Sequence, residues 1–294
     1  MLEIVDRKTK ERVEEKIYGE KLLLFTYGKL GGFLRYMARF SFSSYLVGLW
    51  MKMPFTKRKV APFVAKYKID PSEWEKENFN SFNDFFIRKL KKGVRPIADS
   101  PVVAPADGRY VAYASFAGAK EILVKGETFL LHELLQDDDL TEKYKEATLV
   151  IARLAPPDYH RFHAPVSGRI KSIKNIPGPL FSVNPKALRG RLKRLVHNKR
   201  VLMTIETEDF GDVLFIPIGA TCVGTIHWSV EKDNFINKGD ELGYFSFGGS
   251  MIILLFEKGR VEISSDVLGN SREVLETYIR FGESLSCLPT ESFV

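Results

Sequence analysis

Ser250 stands in the stretch "FGGSMIILLF", residues 247 to 256, behind Gly248 and Gly249 and ahead of an apolar run. A hydrolase nucleophile elbow, Gly-x-Ser-x-Gly, would need glycine at position 252, where isoleucine stands. A conventional serine hydrolase is therefore disfavoured. A different use of the serine fits better. Its Oγ can attack the carbonyl of Gly249, whose missing side chain leaves the approach open and permits a strained backbone. The Gly249–Ser250 amide then becomes an ester. Removal of the α-proton of residue 250 and β-elimination would cut the chain, and hydrolysis of the dehydroalanine would leave a pyruvoyl group. Serine suits this because its oxygen serves first as nucleophile and then as leaving group. The plainer reading of the glycines, a kink or bulge in a strand, is compatible with it.

Such chemistry needs a base. The chain has five histidines, and two of them share "DYHRFH", Asp158 to His163, between proline-rich punctuations. That placement reads as a connection on a scaffold, and the pair as a proton-transfer site. His160 and His163 also have a chelating spacing. The further ligands available, His132, His197, His227 and Cys222, are dispersed and form no metal motif, so no metal is expected. Asp107 lies in "APADGR", where Asp before Gly is a common turn pair for local reasons. It gains functional weight only by meeting a histidine in space.

Two kinds of element would have to position these residues. Residues 1–95 read as a helical, basic region: between Lys21 and Val60 there are eight Lys or Arg and no Asp or Glu, interleaved with aromatics. This pattern suits the interface of an anionic membrane, or a helical subdomain with a solvated basic face. "SFNDFFIRKL" reads as a helix capped by Ser81, with Asp84 in its first turn. From residue 96 the texture is short alternating strands punctuated by Gly and Pro, including "GRYVAYASF", "ATLVIARLAP", "GRIKSIKNI" and "MIILLF". The expected class is α+β, a helical N-terminal region followed by a compact β-barrel or sandwich-like catalytic domain over 96–294. The turns "APADGR" and "APVSGR", each before a strand, read either as an internal duplication or as two independent turns.

Composition narrows the partners. The net charge of +7 favours an anionic partner, membrane phospholipid or nucleic acid, and no nucleic-acid-binding motif is present. Cys222 and Cys287 lie far apart, which points to a reducing compartment. The charged start "MLEIVDRKTKERVEEK" has no apolar signal core, and no apolar run reaches the ~18 residues of a membrane span.

The motifs "FNDFFIRKLKKGVRPI", "APADGR", "YHRFHAP", "PGPLFSVN" and "FGGS", in this order along nearly the whole chain, resemble the phosphatidylserine decarboxylase proenzyme family. The resemblance implies a self-processing triad of Asp107, His163 and Ser250, with His163 as base on Ser250 and Asp107 orienting the imidazole. It implies proton handling during decarboxylation by His160, with support from Asp158. It puts Phe181, Ser182 and Val183 near the substrate. The cut between Gly249 and Ser250 would leave chains of residues 1–249 and 250–294 that stay associated. The second would carry a covalent pyruvoyl cofactor made from Ser250. That group would take phosphatidylserine as a Schiff base and yield phosphatidylethanolamine and carbon dioxide. The implied setting is peripheral, at the cytoplasmic face of an anionic membrane, with no metal and no nucleic acid; a homodimer and an ether-lipid substrate stay open. Members commonly carry threonine after the serine, and Met251 departs from that. A membrane-binding protein without catalysis and a zinc peptidase are the competing readings. The intact Asp107, His163 and Ser250 set weighs against the first, and the missing third ligand against the second.

Overall fold

A computed structural model describes residues 3–15, 41–116, 130–181, 196–220, 226–248 and 250–287. Its frame is a mixed sheet in which, among the described residues, ten strands run in the order β10-β6-β7-β8-β12-β4-β3-β14-β1-β2. These are β1 (Glu3–Asp6), β2 (Arg12–Glu14), β3 (Gly108–Tyr113), β4 (Thr148–Leu154), β6 (Gly168–Ile176), β7 (Arg200–Thr207), β8 (Gly211–Gly219), β10 (Phe235–Ile236), β12 (Ser250–Phe256) and β14 (Glu276–Ile279). Neighbours pair antiparallel except β1 with β14, which is parallel. A second sheet has the order β5-β11-β9, from β5 (Arg161–His163), β9 (Ile226–Trp228) and β11 (Glu241–Phe245).

The middle strand explains the apolar run that the sequence displays. β12 lies between β4 and β8 and is buried along its whole length. Its side chains alternate between two cores, as strand geometry requires. Ile252, Leu254 and Phe256 join Phe162, Phe215, Leu242 and Phe245, so the small sheet packs on that face. Met251, Ile253 and Leu255 join Leu131, Leu134 and Leu135 from α4 (Leu131–Leu135) on the other face. A strand buried on both faces reads as continuous hydrophobicity, not as alternation.

A third cluster carries the N-terminal helices: α1 (Ser41–Lys52), α2 (Val60–Tyr67) and α3 (Phe82–Phe86). Met51, Phe63, Trp74, Phe82, Phe85, Phe86 and Phe247 pack together in it. Ser81 caps α3 as expected, its Oγ accepting from Asp84 N–H at 3.1 Å.

Three expectations change. Among the described residues the large sheet is open, with β10 and β2 at its edges, and forms no closed barrel. Alternation reveals strands, but closure depends on pairings between distant segments. Residues 1–95 do not form one helical region: Glu3–Asp6 and Arg12–Glu14 are a hairpin that extends the large sheet through β14. Their charged residues hide them because β2 is an exposed edge. The two Pro-x-x-Gly turns do open β3 and β6, but two turns before two strands do not establish a repeat. Residues 21–40, which hold half of the basic stretch, and Cys222 lie outside the described residues.

Candidate active site

The site is assembled at one end of β12, where two connections meet. In register, Ser250 lies opposite Leu154 at the end of β4 and Gly219 at the end of β8. The chain leaving β4 forms the loop from Ala155 to His160 and enters β5. The chain leaving β11 passes through Ser246, Phe247 and Gly248 before Ser250. β11 pairs with β5, and Phe245 N–H donates to His160 O at 3.0 Å. His160 and the serine are therefore brought together by sheet register, and His163 follows three residues later in β5. Gly248 has φ 141°, a conformation that side-chain-bearing residues rarely adopt, so this connection needs glycine there. Gly249, the other half of the expected scissile bond, lies outside the described residues.

Ser250 is fully buried, and its Oγ lies 3.4 Å from His160 Nδ1, a long hydrogen bond. His160 Nε2 lies 3.1 Å from Ala155 O. A carbonyl only accepts, so Nε2 carries the proton and Nδ1 offers its lone pair to the serine hydroxyl. Burial, with the Arg88 and Arg109 charges, pushes the His160 pKa down to about 3, so this ring is neutral at physiological pH. Phe86 stacks on it at 3.8 Å.

His163 is placed differently. Its Nδ1 donates to Gly239 O at 2.9 Å, and its Nε2 accepts from Tyr159 OH at 3.2 Å. Phe281 stacks on it at 3.6 Å. Burial lowers its pKa to about 4, against the opposing influence of the Gly239 carbonyl, Glu241 and Asp107. Asp107 is buried and accepts from Phe281 N–H at 2.8 Å and from Arg95 Nη2 at 2.9 Å; Arg95 also pairs with Glu73. Asp107 thus reaches His163 through the charge it projects and through Phe281, which it fixes by its backbone.

Asp158 is buried behind the loop, where it accepts from Ala155 N–H at 2.6 Å and pairs with Arg109. It holds the turn whose carbonyl fixes the His160 tautomer. Phe181 exchanges two hydrogen bonds with Asn198, which also donates to Gly219 O at 2.8 Å, beside Ser250. Ser182 and Val183 lie outside the described residues. Sequence reasoning missed Tyr159, Phe86, Phe281 and Arg95. The signal for Tyr159 was present, since an aromatic within a two-histidine motif is a candidate for ring stacking and a hydroxyl contact, whereas Phe86 reaches His160 only through the fold.

A buried serine held against a neutral imidazole at the end of a central strand is an arrangement suited to acid–base chemistry sheltered from water, while the second imidazole of the motif meets Tyr159, Gly239 and Phe281. Comparison with known proteins gives the class a family. The Phosphatidylserine decarboxylase family model matches residues 82–286. A Phosphatidylserine decarboxylase proenzyme of Fusobacterium nucleatum is 42% identical over 290 residues, covering 96% of both chains. Proteins of the same name from Chlamydia caviae, 42% identical over 97% of both chains, and Desulfitobacterium hafniense, 39% identical over 97% of this chain and 98% of its own, are similar to it too. The chain belongs to the phosphatidylserine decarboxylase family, and it is an enzyme of the carboxy-lyase class.

Proposed function

We propose that this chain cuts itself between Gly249 and Ser250 and then, as two associated chains, converts phosphatidylserine to phosphatidylethanolamine and carbon dioxide. The observation that carries the reading is the buried Ser250 hydroxyl against the lone pair of His160, in a chain whose relatives are named proenzymes. Residue 250 is the first residue of a strand buried along its whole length, so a group made from it needs no separate pocket and lies beside His160. The residues present therefore fit a pyruvoyl group built in place. Such a group supplies a carbonyl that accepts the electron pair left when carbon dioxide departs.

In self-cleavage the hydroxyl proton passes to a base as Oγ attacks the carbonyl of residue 249. It then passes to the nitrogen of residue 250 as the carbon–nitrogen bond breaks. A base next takes the α-proton of residue 250, and the carboxylate of residue 249 leaves. Water replaces the nitrogen as ammonia departs. We assign the base role to His163 with Asp107, and to His160 the relay of a proton from water to the decarboxylated carbon, taken up and released at Nδ1 while Nε2–H stays on Ala155 O. Charge supports this division. A cleavage base must become cationic; burial opposes that at both rings, but at His163 Glu241 and Asp107 favour it against Arg161, whereas at His160 Arg88 and Arg109 add to the opposition. His163 must first exchange its Tyr159 contact for Ser250. The 3.4 Å contact supports a second reading, in which His160 serves both steps.

Denaturing intact-mass analysis tests the cut and the division together. The native chain should give two species, 1–249 and 250–294, the second with a carbonyl in place of the serine amine. Ser250→Ala should stay whole. His163→Ala should stay whole, and His160→Ala should be cut yet release no carbon dioxide. A whole His160→Ala chain would move the base role to the ring in contact. A native protein that matures uncut, with an ordinary serine at 250, would end the pyruvoyl reading.

We further propose that the N-terminal helices dock on an anionic membrane, where the lipid lies. Leu46 is 48% exposed, Trp50 43% and Phe55 46%, and Met53 is exposed with them. Lys52, Lys57, Arg58 and Lys59 are interleaved in the same stretch, and the Lys59 ammonium sits 3.7 Å over the Trp50 ring. An apolar patch with a basic rim matches a surface of anionic headgroups over acyl chains. Among the described residues no helix is long and apolar enough to cross a membrane.

A further inference from the structure

The segment just before Ser250 is gripped by a side chain that the mechanism above does not use. Asn83, in α3, is 6% exposed, and its Oδ1 accepts from Phe247 N–H at 3.0 Å, a buried hydrogen bond between residues far apart in sequence. The Phe247 ring sits against Phe82 at 5.4 Å and Phe86 at 5.1 Å, both edge-on. Phe86, from the same helical turn, is the ring stacked on His160. One five-residue helix therefore touches both partners of the reaction. It holds the His160 imidazole by one face and the backbone leading to the scissile bond by a directed hydrogen bond.

The need for such a grip follows from the local backbone. Between Phe247 and Ser250 come two glycines, with Gly248 at φ 141°. Glycine gives the freedom that the attack requires, and in general the same freedom spreads a peptide carbonyl over many orientations. β12 pairing fixes the chain from Ser250 onward. On the other side, Asn83 holds the backbone amide of Phe247. Intramolecular attack depends steeply on orientation, so fixing the chain on both sides of a flexible pair raises the fraction poised to react.

We propose that Asn83 is a positioning residue for self-cleavage: it anchors Phe247 so that the carbonyl of residue 249 is presented to Ser250 Oγ. This rests on the self-cleavage reading and adds a residue to it. The acceptor is what matters, because an unpaired buried amide N–H at 247 would seek another partner and take the segment with it.

The test follows the rate of chain cleavage after pulsed synthesis of the full chain, by gel, for native protein, Asn83→Leu, Asn83→Asp and Thr56→Val. Asn83→Leu keeps the bulk and removes the acceptor; cleavage should slow about tenfold or more. Asn83→Asp retains an acceptor and should restore cleavage to within a few-fold of native. Thr56→Val is the control for damage to the helix. Thr56 Oγ1 accepts from Phe82 N–H at 3.0 Å, so its loss weakens the start of α3 without touching the Phe247 bond. Melting temperatures are compared in a Ser250→Ala background, where every chain is uncut. Slow cleavage in Asn83→Leu, rescue in Asn83→Asp and near-native cleavage in Thr56→Val support the proposal. Native-rate cleavage in Asn83→Leu overturns it. So does Thr56→Val slowing as much as Asn83→Leu at an equal loss of melting temperature, which would make the effect one of helix stability. If Asn83→Leu does not fold, Asn83→Ala and Asn83→Asp are compared, and equal rates for those two overturn it. An uncut native chain would instead remove the self-cleavage reading on which the proposal stands.

Discussion

At the residue scale, both site histidines are buried neutral bases, and this has a consequence for stability. Their folded pKa values lie near 3 and 4, against 6.5 for the free side chain. As pH falls below 6.5, the unfolded chain takes up protons that the folded chain refuses. The contribution is complete above 6.5 and is lost as pH drops through the window to about 4 for His163 and about 3 for His160. Within that window each ring should steepen the fall by up to about 1.4 kcal/mol per pH unit. Denaturant unfolding of the Ser250→Ala chain near pH 7 and near pH 5 measures it. His160→Gln and His163→Gln should each flatten the dependence; an unchanged slope in both would mean that neither ring is held neutral.

At the scale of the element, β12 accounts for the residue that departs from its family. Met251 points away from Ser250 and His160, into the core with Leu134 and Ile253, because successive strand residues face opposite sides. Methionine there is core packing. Met251→Thr should put a hydroxyl among apolar side chains and lower stability by about 1–3 kcal/mol in denaturant titrations. Cutting at residue 250 should still go to completion; arrested cutting would show that the second face of the strand reaches the reaction after all. The same strand shows what could be read beforehand. The apolar run, the Ser81 cap, the histidine pair and the special glycines were all legible, since each is a local pattern. That His160 is the ring in contact with Ser250 was not, because it depends on Ser250 pairing opposite Leu154 across about a hundred residues of sequence. The open edges of the sheet and the charged hairpin at Glu3–Glu14 escaped for the same reason: pairing partners decide them, and no window of sequence contains both partners.

For the whole molecule, the helical layer joins the proposed membrane surface to the site. Its outer side presents Trp50 and Phe55, and its inner side packs Phe82 and Phe86 on Phe247. Flotation with vesicles tests the outer side. The protein should float with vesicles rich in anionic lipid and release as salt rises, because each basic residue near such a surface contributes roughly 1 kcal/mol that salt screens. The double variant Trp50→Ser and Phe55→Ser should float less at every salt concentration. Equal flotation of native and double-variant protein would place the docking surface elsewhere.

The weave of the large sheet sets one more property of a chain cut before Ser250. Residues 250–294 would supply β12, enclosed by β4 and β8, and also β14, enclosed by β3 and β1. The smaller piece is thus threaded through the larger at two separate slots. Those slots form while both pieces are one polymer, and continuity keeps the partners at high local concentration. After the cut, that memory of assembly is gone while its product persists. Denaturation would then release two strangers, and the barrier to unfolding, more than any equilibrium, would set the working lifetime of the mature protein.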